Sequence, residues 1–187
     1  MLILASKSPT RAAILRSRGV KFTQKSADFD EDLVTERDPY KFVEIAARGK
    51  LDRAIALFGA DKIIIAADTI VSVGGEILRK ASDEADARAK LLLQSGSRVA
   101  IVTCSILRDP AETIADLSET IYDFAAFDEG DLSAYLSSGD WRGKAGAIMV
   151  ETFGKKYIRS QTGFESCAMG ITIEKLLPRL NLLGCLS

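Results

Sequence analysis

Leu2-Ile3-Leu4-Ala5 runs, with only Ser6 and Lys7 between, into Ser8-Pro9, and this junction constrains the fold of the chain most. Four apolar residues closed by a polar break are too few for a helix and read as a buried strand. Ser8 suits a helix N-cap and Pro9 the first helical position. Ala12, Ala13, Ile14 and Leu15 carry the helix onward, and Gly19 supplies its stop. A strand that feeds a helix N-terminus leaves free backbone N–H groups pointing one way. They favour anions, and Lys7 and Arg11 add formal positive charge. A phosphate seat is one reading. An ordinary capped surface helix with two solvated cations is the other, and on these residues alone it is the default.

The remaining chain repeats this grammar. Residues 20–34 give a short strand and then an acidic loop holding Asp28, Asp30, Glu31 and Asp32. Asp38-Pro39 starts a second helix over residues 40–58, with Phe42, Ile45, Ala46, Ala54, Ile55 and Phe58 at helical spacing before Gly59. A buried strand follows over residues 63–67, interrupted at Asp68-Thr69. Gly74-Gly75 then turns a hairpin between residues 70–73 and 76–78. Ser82-Asp83 caps a helix carried by Ala85, Ala89 and Leu92 and closed by Gly96. Two longer strands are expected near residues 99–107 and 118–126, and a short helix over 129–137. The end mixes strand and helix, with Pro178 limiting the last helix. No repeat, linker or low-complexity tract divides residues 1–187. The expectation is one α/β domain, a mixed twisted sheet with flanking helices in two lobes around a cleft.

The chemistry is narrowed by an absence: among 187 residues there is no histidine. Ser-His-Asp and Cys-His catalysis and imidazole metal ligation all go with it. Carboxylates, lysines, arginines, hydroxyls and a hard metal ion remain. The charges nearly cancel, 25 basic against 26 acidic, so no global field draws the chain to nucleic acid or to a membrane surface. Cys104, Cys167 and Cys185 are dispersed, which argues against a disulfide framework or thiolate metal site. No apolar run approaches a membrane span, and the first residues lack a signal-peptide pattern. A cytoplasmic protein is expected.

Asp68 is the first candidate for function. The apolar run before it drives the backbone into a sheet, which would put Asp68 near a strand's carboxyl end, where open α/β sheets bind ligands. A structural Asp capping a turn is the equal alternative. Lys80 leaves the hairpin just before a helix and would return toward the same cleft. Glu31 lies in an acidic loop, where solvated charge is the default and a divalent-ion ligand second. Standard phosphate signatures are missing: no Gly-x-Gly-x-x-Gly follows a strand, and residues 139–145 have the wrong spacing for a P-loop. An aspartyl-phosphatase reading fails because Ile70 stands where a second Asp belongs.

Together the pieces are more specific. Ser6 to Arg11, Asp30-Glu31, Lys50, Ala67-Asp68-Thr69, Lys80 and Lys144-Ala145-Gly146-Ala147 resemble, in order and spacing, the Maf family of septum-formation-like nucleoside triphosphate pyrophosphatases. The resemblance extends to about Leu180. It implies an inosine triphosphate pyrophosphatase-like fold, and hydrolysis of a nucleoside triphosphate to monophosphate and pyrophosphate with Mg²⁺ or Mn²⁺. By matching position Ser8, Arg11, Lys50 and Lys80 would hold phosphates. Glu31 and Asp68 would ligate the metal or handle the attacking water. Homodimers are common in such families.

The departures from the pattern matter as well. Thr10 stands where the family commonly has the first of two arginines, Ala81 replaces a frequent Pro, and Gly170-Ile171-Thr172 replaces Gly-Leu-Pro. Glu151 resembles the branch acting on 7-methyl-GTP, where the branch acting on dTTP and UTP usually has Gln. Asp68-Thr69 looks instead like the pyrimidine branch. An unpaired carboxylate about 4 Å from a phosphate charge costs roughly 4 kcal/mol at an effective dielectric near 20, so Glu151 is expected to face the base. The competing expectation is a catalytically weakened nucleotide-binding paralogue acting through a protein partner. It is motivated by Thr10 and the altered C-terminal segment.

Overall fold

A computed structural model describes residues 1–186. Its first strand, β1 (Leu2–Ala5), leads through Ser8 into α1 (Pro9–Ser17), and the Ser8 hydroxyl accepts from the Arg11 N–H at 3.2 Å. β2 (Thr23–Lys25) follows, then a single 3₁₀ turn (Glu31–Leu33) and α2 (Pro39–Phe58), capped by Asp38. β1 pairs in parallel with β2 on one edge and with β3 (Ile63–Val73) on the other. Parallel neighbours need crossover helices, and right-handed crossovers running in opposite directions fall on opposite faces of the sheet. α1 and α2 accordingly pack on opposite faces.

β3 turns at Gly74-Gly75 into β4 (Glu76–Leu78), the expected hairpin. α3 (Glu84–Gln94) leads to the long antiparallel pair β5 (Arg98–Arg108) and β6 (Thr113–Phe124). α4 (Glu129–Ser138), β7 (Ile158–Thr162), a turn of helix α5 (Glu165–Ala168) and α6 (Ile173–Leu182) complete the fold. The seven strands run in the order β2-β1-β3-β5-β6-β7, with β4 hanging from β3.

Alternation along β3 and β5 builds the core. Ile64, Ala66, Ile70, Val102, Cys104 and Ile106 face α2. On the opposite face, Ile65 and Leu107 pack with α1 and α6 at one end. Val71, Val99 and Ile101 pack with α3 and α4 at the other. The core on α2 and the core on α1 and α6 share one lobe, the core on α3 and α4 forms the other, and β3 and β5 run through all three cores.

Three expectations are corrected. β3 is not interrupted at Asp68-Thr69: the β5 ladder continues through both residues, opposite Cys104 and Thr103. On α3 the buried stripe is Ala87, Leu91 and Gln94, while Ala85, Ala89 and Leu92 face solvent. Both stripes have spacing i, i+4, i+7, so periodicity cannot choose between them. Pro178 lies inside α6 rather than at its end, with Leu176 and Leu180 buried on either side. All three cysteines are free and buried, and no described helix is long and apolar enough to cross a membrane.

Candidate functional site

The site begins with a fork in the sheet. β5 pairs with residues 64–73 along one edge of β3. On the other edge β1 covers residues 63–65 and β4 covers residues 71–73. Residues 66–70 face no strand there, and Asp68 stands in the middle of the gap. This replaces the expected strand end: Asp68 is placed by the end of its neighbour β1, not by the end of its own strand. Because the sheet is open at that point, side chains from both faces converge on one cleft of about 580 Å³.

From the α2 face comes Lys50. Its Nζ donates to Asp68 Oδ1 at 2.5 Å and to Glu31 Oε1 at 2.7 Å. Lys80, just beyond β4, donates to Glu31 Oε2 at 2.9 Å, and Arg79 donates to the Glu31 carbonyl at 2.7 Å. Four residues distant in sequence thus form one chain, Asp68–Lys50–Glu31–Lys80. The two acids feel it differently. Burial pushes Glu31 upward, but Lys50 and Lys80 outweigh it and hold the carboxyl at about 2. Asp68 is 3% exposed. Burial raises its pKa and dominates the opposing pull of Lys50. Its Oδ2 is buried with no hydrogen-bond partner. An orphaned carboxylate oxygen at a cleft floor is costly to structure and suits a ligand or a proton.

From the opposite face comes Arg11. Its Nε donates to the Gly170 carbonyl at 2.6 Å, Nη1 to Ser6 Oγ at 3.3 Å and Nη2 to Thr69 Oγ1 at 3.1 Å. Burial lowers its pKa, and the charges of Asp68 and Glu31 oppose that shift. Ser8 lines the same cleft at the N-terminus of α1, beside Thr10. The second lobe contributes Arg142, Lys144 and Glu151. Lys144 is held by a turn (Ala145–Ala147) that packs directly on β3. A Cβ on Gly146, whose φ is +58°, would lie 2.8 Å from Val71 Cβ.

Every sequence-selected residue therefore borders one cleft: Ser8, Arg11, Glu31, Lys50, Asp68, Lys80 and Glu151. Sequence reasoning missed Ser6 and Thr69 as partners of Arg11, and it missed Arg142. The oxygen ligands available to a metal are Asp68 and Glu31, and among the described residues no third acidic side chain completes a cluster with them.

The sheet is thus a mixed α/β one, forked over a lysine-bridged acid pair in a cleft lined by cations from both lobes. A family model described as Maf-like protein matches residues 1–183, and the chain belongs to that family. It is 52% identical over 178 residues to a protein named nucleoside triphosphate pyrophosphatase from a Nitratiruptor species, covering 94% of this chain and 96% of that one. A protein of the same name from Helicobacter pylori is 40% identical over 181 residues, 97% of this chain and 95% of the relative. One from Campylobacter jejuni subsp. jejuni is 36% identical over 179 residues, with coverage of 94% and 98%.

Proposed function

We propose that the protein hydrolyses a nucleoside triphosphate to the monophosphate and pyrophosphate, with Asp68 and Glu31 as the working carboxylates. The observation that carries this reading is the Asp68–Lys50–Glu31 bridge, with one buried Asp68 oxygen left unpaired. Ser8, Arg11, Lys50 and Lys80 would hold the phosphates, where positive charge must concentrate. Asp68, whose burial raises its affinity for a proton, is suited in its ionised form to take one from the attacking water. Lys50 keeps the two acids side by side and would move onto phosphate oxygens as substrate enters.

A divalent cation fits this donor set. Mg²⁺ is held by one or two carboxylates and keeps water and substrate phosphates as its other ligands. Asp68 Oδ2 and Glu31 would hold it. When bound, the ion would neutralise phosphoryl charge and polarise the anhydride being broken. Under the same reading the protein acts in the cytoplasm.

For the base, Glu151 lines the cleft and makes no hydrogen bond or ion pair among the described residues. An ionised carboxylate can accept from both the ring N–H and the amino group of guanine, whereas uracil and thymine present a donor beside an acceptor. Glu151 would thus favour guanine-type triphosphates such as 7-methyl-GTP over pyrimidine ones. The test is a panel of nucleoside triphosphates with Mg²⁺ or Mn²⁺, with products identified, run on the native chain and on Glu151→Gln. Pyrophosphate release supports the reading. Orthophosphate alone, or binding without product, overturns it, the latter in favour of a weakened nucleotide-binding paralogue. Glu151→Gln is expected to shift the kcat/KM ratio of 7-methyl-GTP to UTP and dTTP by about 1–3 kcal/mol toward the pyrimidines.

A further inference from the structure

Behind Arg11 lies a row of hydroxyls whose proton order can be worked out. Thr103, on β5 and fully buried, donates its hydroxyl to the Cys167 carbonyl at 2.8 Å. A carbonyl only accepts, so the single Thr103 proton is spent there. Thr103 Oγ1 also lies 2.8 Å from Thr69 Oγ1, and in that contact Thr69 must be the donor. The single Thr69 proton is then spent too, and its oxygen presents only lone pairs to Arg11 Nη2 at 3.1 Å. The chain runs one way: Arg11 to Thr69 to Thr103 to the Cys167 carbonyl. The segment that carries Cys167 also carries Gly170, whose carbonyl takes Arg11 Nε at 2.6 Å. One loop therefore grips the guanidinium twice, once directly and once through two threonines.

We infer that Thr69 and Thr103 are positioning residues for substrate binding, fixing the Arg11 guanidinium so that it presents donors to phosphate. The inference rests on the reading of Arg11 as a phosphate-holding group. A guanidinium carries five N–H donors. The Gly170, Ser6 and Thr69 bonds take one from Nε and one from each terminal nitrogen. One N–H on each terminal nitrogen remains for a ligand, the number a two-point contact with phosphate oxygens requires. With its proton engaged on Thr103, the Thr69 hydroxyl is held in one rotation and keeps a lone pair toward Arg11 Nη2. Ordinary threonines in strands would pack through their methyl groups and need no such order, so the chain of three contacts is what marks this pair.

The experiment measures pyrophosphate release from a nucleoside triphosphate, with thermal unfolding, for Thr103→Val, Thr103→Ser, Thr69→Val and Arg11→Lys, and for Thr103→Val combined with Arg11→Lys. Valine keeps the shape and removes the hydroxyl; serine restores it. Thr103→Val is expected to lower kcat/KM about tenfold, the scale of one hydrogen bond to a charged group, and Thr103→Ser to stay within about twofold of the native protein. In the Arg11→Lys background Thr103→Val is expected to add less than about twofold, because the group it orients is gone. Thr69→Val, which removes the acceptor itself, gives the same reading should Thr103→Val fail to fold. A folded Thr103→Val or Thr69→Val protein with native kcat/KM overturns the inference, as does an equal loss in both backgrounds. If Arg11→Lys alone leaves kcat/KM unchanged, the assignment of Arg11 to phosphate falls instead.

Discussion

Replacing Lys50 with methionine isolates the contact on which the site depends. Lys50 Nζ lies 2.7 Å from Glu31 Oε1 and 2.5 Å from Asp68 Oδ1, so those oxygens are at most about 5.2 Å apart. Two negative charges at that separation repel by about 3 kcal/mol at an effective dielectric near 20. All three groups are largely shielded from water, so solvent removes little of it. Lys50→Met should therefore raise the folded-state pKa of the coupled acids above their unfolded values. A raised folded pKa gives stability that is present below the unfolded pKa and lost as pH rises through the folded one. The native protein behaves oppositely at Glu31, whose depressed value of about 2 makes its contribution present above the unfolded pKa and lost as pH falls toward 2. The deficit of Lys50→Met is thus expected to be large at pH 8, in the range of about 3–5 kcal/mol for a broken buried pair. At pH 4.5 it should shrink by about 3 kcal/mol as the acids take up a proton. Urea unfolding of both proteins at pH 8, 6 and 4.5 measures it. A deficit that does not change with pH would falsify the argument, because lost packing has no such dependence. Asp68→Asn introduced beside Lys50→Met should restore most of the stability at pH 8.

Asp68→Asn in the native background keeps the size of the side chain and removes its charge, and is expected to lower the rate of nucleotide hydrolysis by about 10²–10⁴-fold. A variant that keeps a tenth of the native rate with an unchanged unfolding profile would release Asp68 from the role. Activity should disappear in excess EDTA and return with Mg²⁺ or Mn²⁺, as expected of an all-oxygen site; full turnover in the chelator refutes metal assistance. Gly49→Ala should destabilise the protein although alanine is the better helix former by about 1 kcal/mol. The added Cβ would overlap the ring of Phe29 and push on the loop that presents Glu31. A Gly49→Ala protein with a higher Tm and native rate would show that the ring moves freely.

What could be read before folding was local. Ser8-Pro9, Asp38-Pro39 and Gly74-Gly75 mark their caps and turn because the forces involved act within four residues. Asp68 was misplaced because an ionisable residue in an apolar run looks like a break, and what keeps it inside β3 is an ammonium from α2, 18 residues earlier. The buried stripe of α3 escaped because two stripes of equal spacing compete. The one that wins includes Gln94, whose side chain donates to the Lys90 and Gly146 carbonyls. Thr69 was legible only as part of the family pattern and Thr103 not at all, since threonine is an ordinary strand residue and their contacts to each other, to Arg11 and to the Cys167 carbonyl join positions far apart in sequence.

β3 and β5 are both 11 residues long and are paired across both lobes without a break. The lobes therefore have no flexible joint, and bringing them together means twisting a hydrogen-bonded ribbon, a stiff mode. Nucleotide entry should order little backbone, so association would be governed by water and counterion release from the cleft rather than by a folding-like closure. Calorimetry would then record only a small heat-capacity change on binding, far from that of coupled folding. Amide exchange in the centre of β3 would be as slow in the empty protein as in the loaded one.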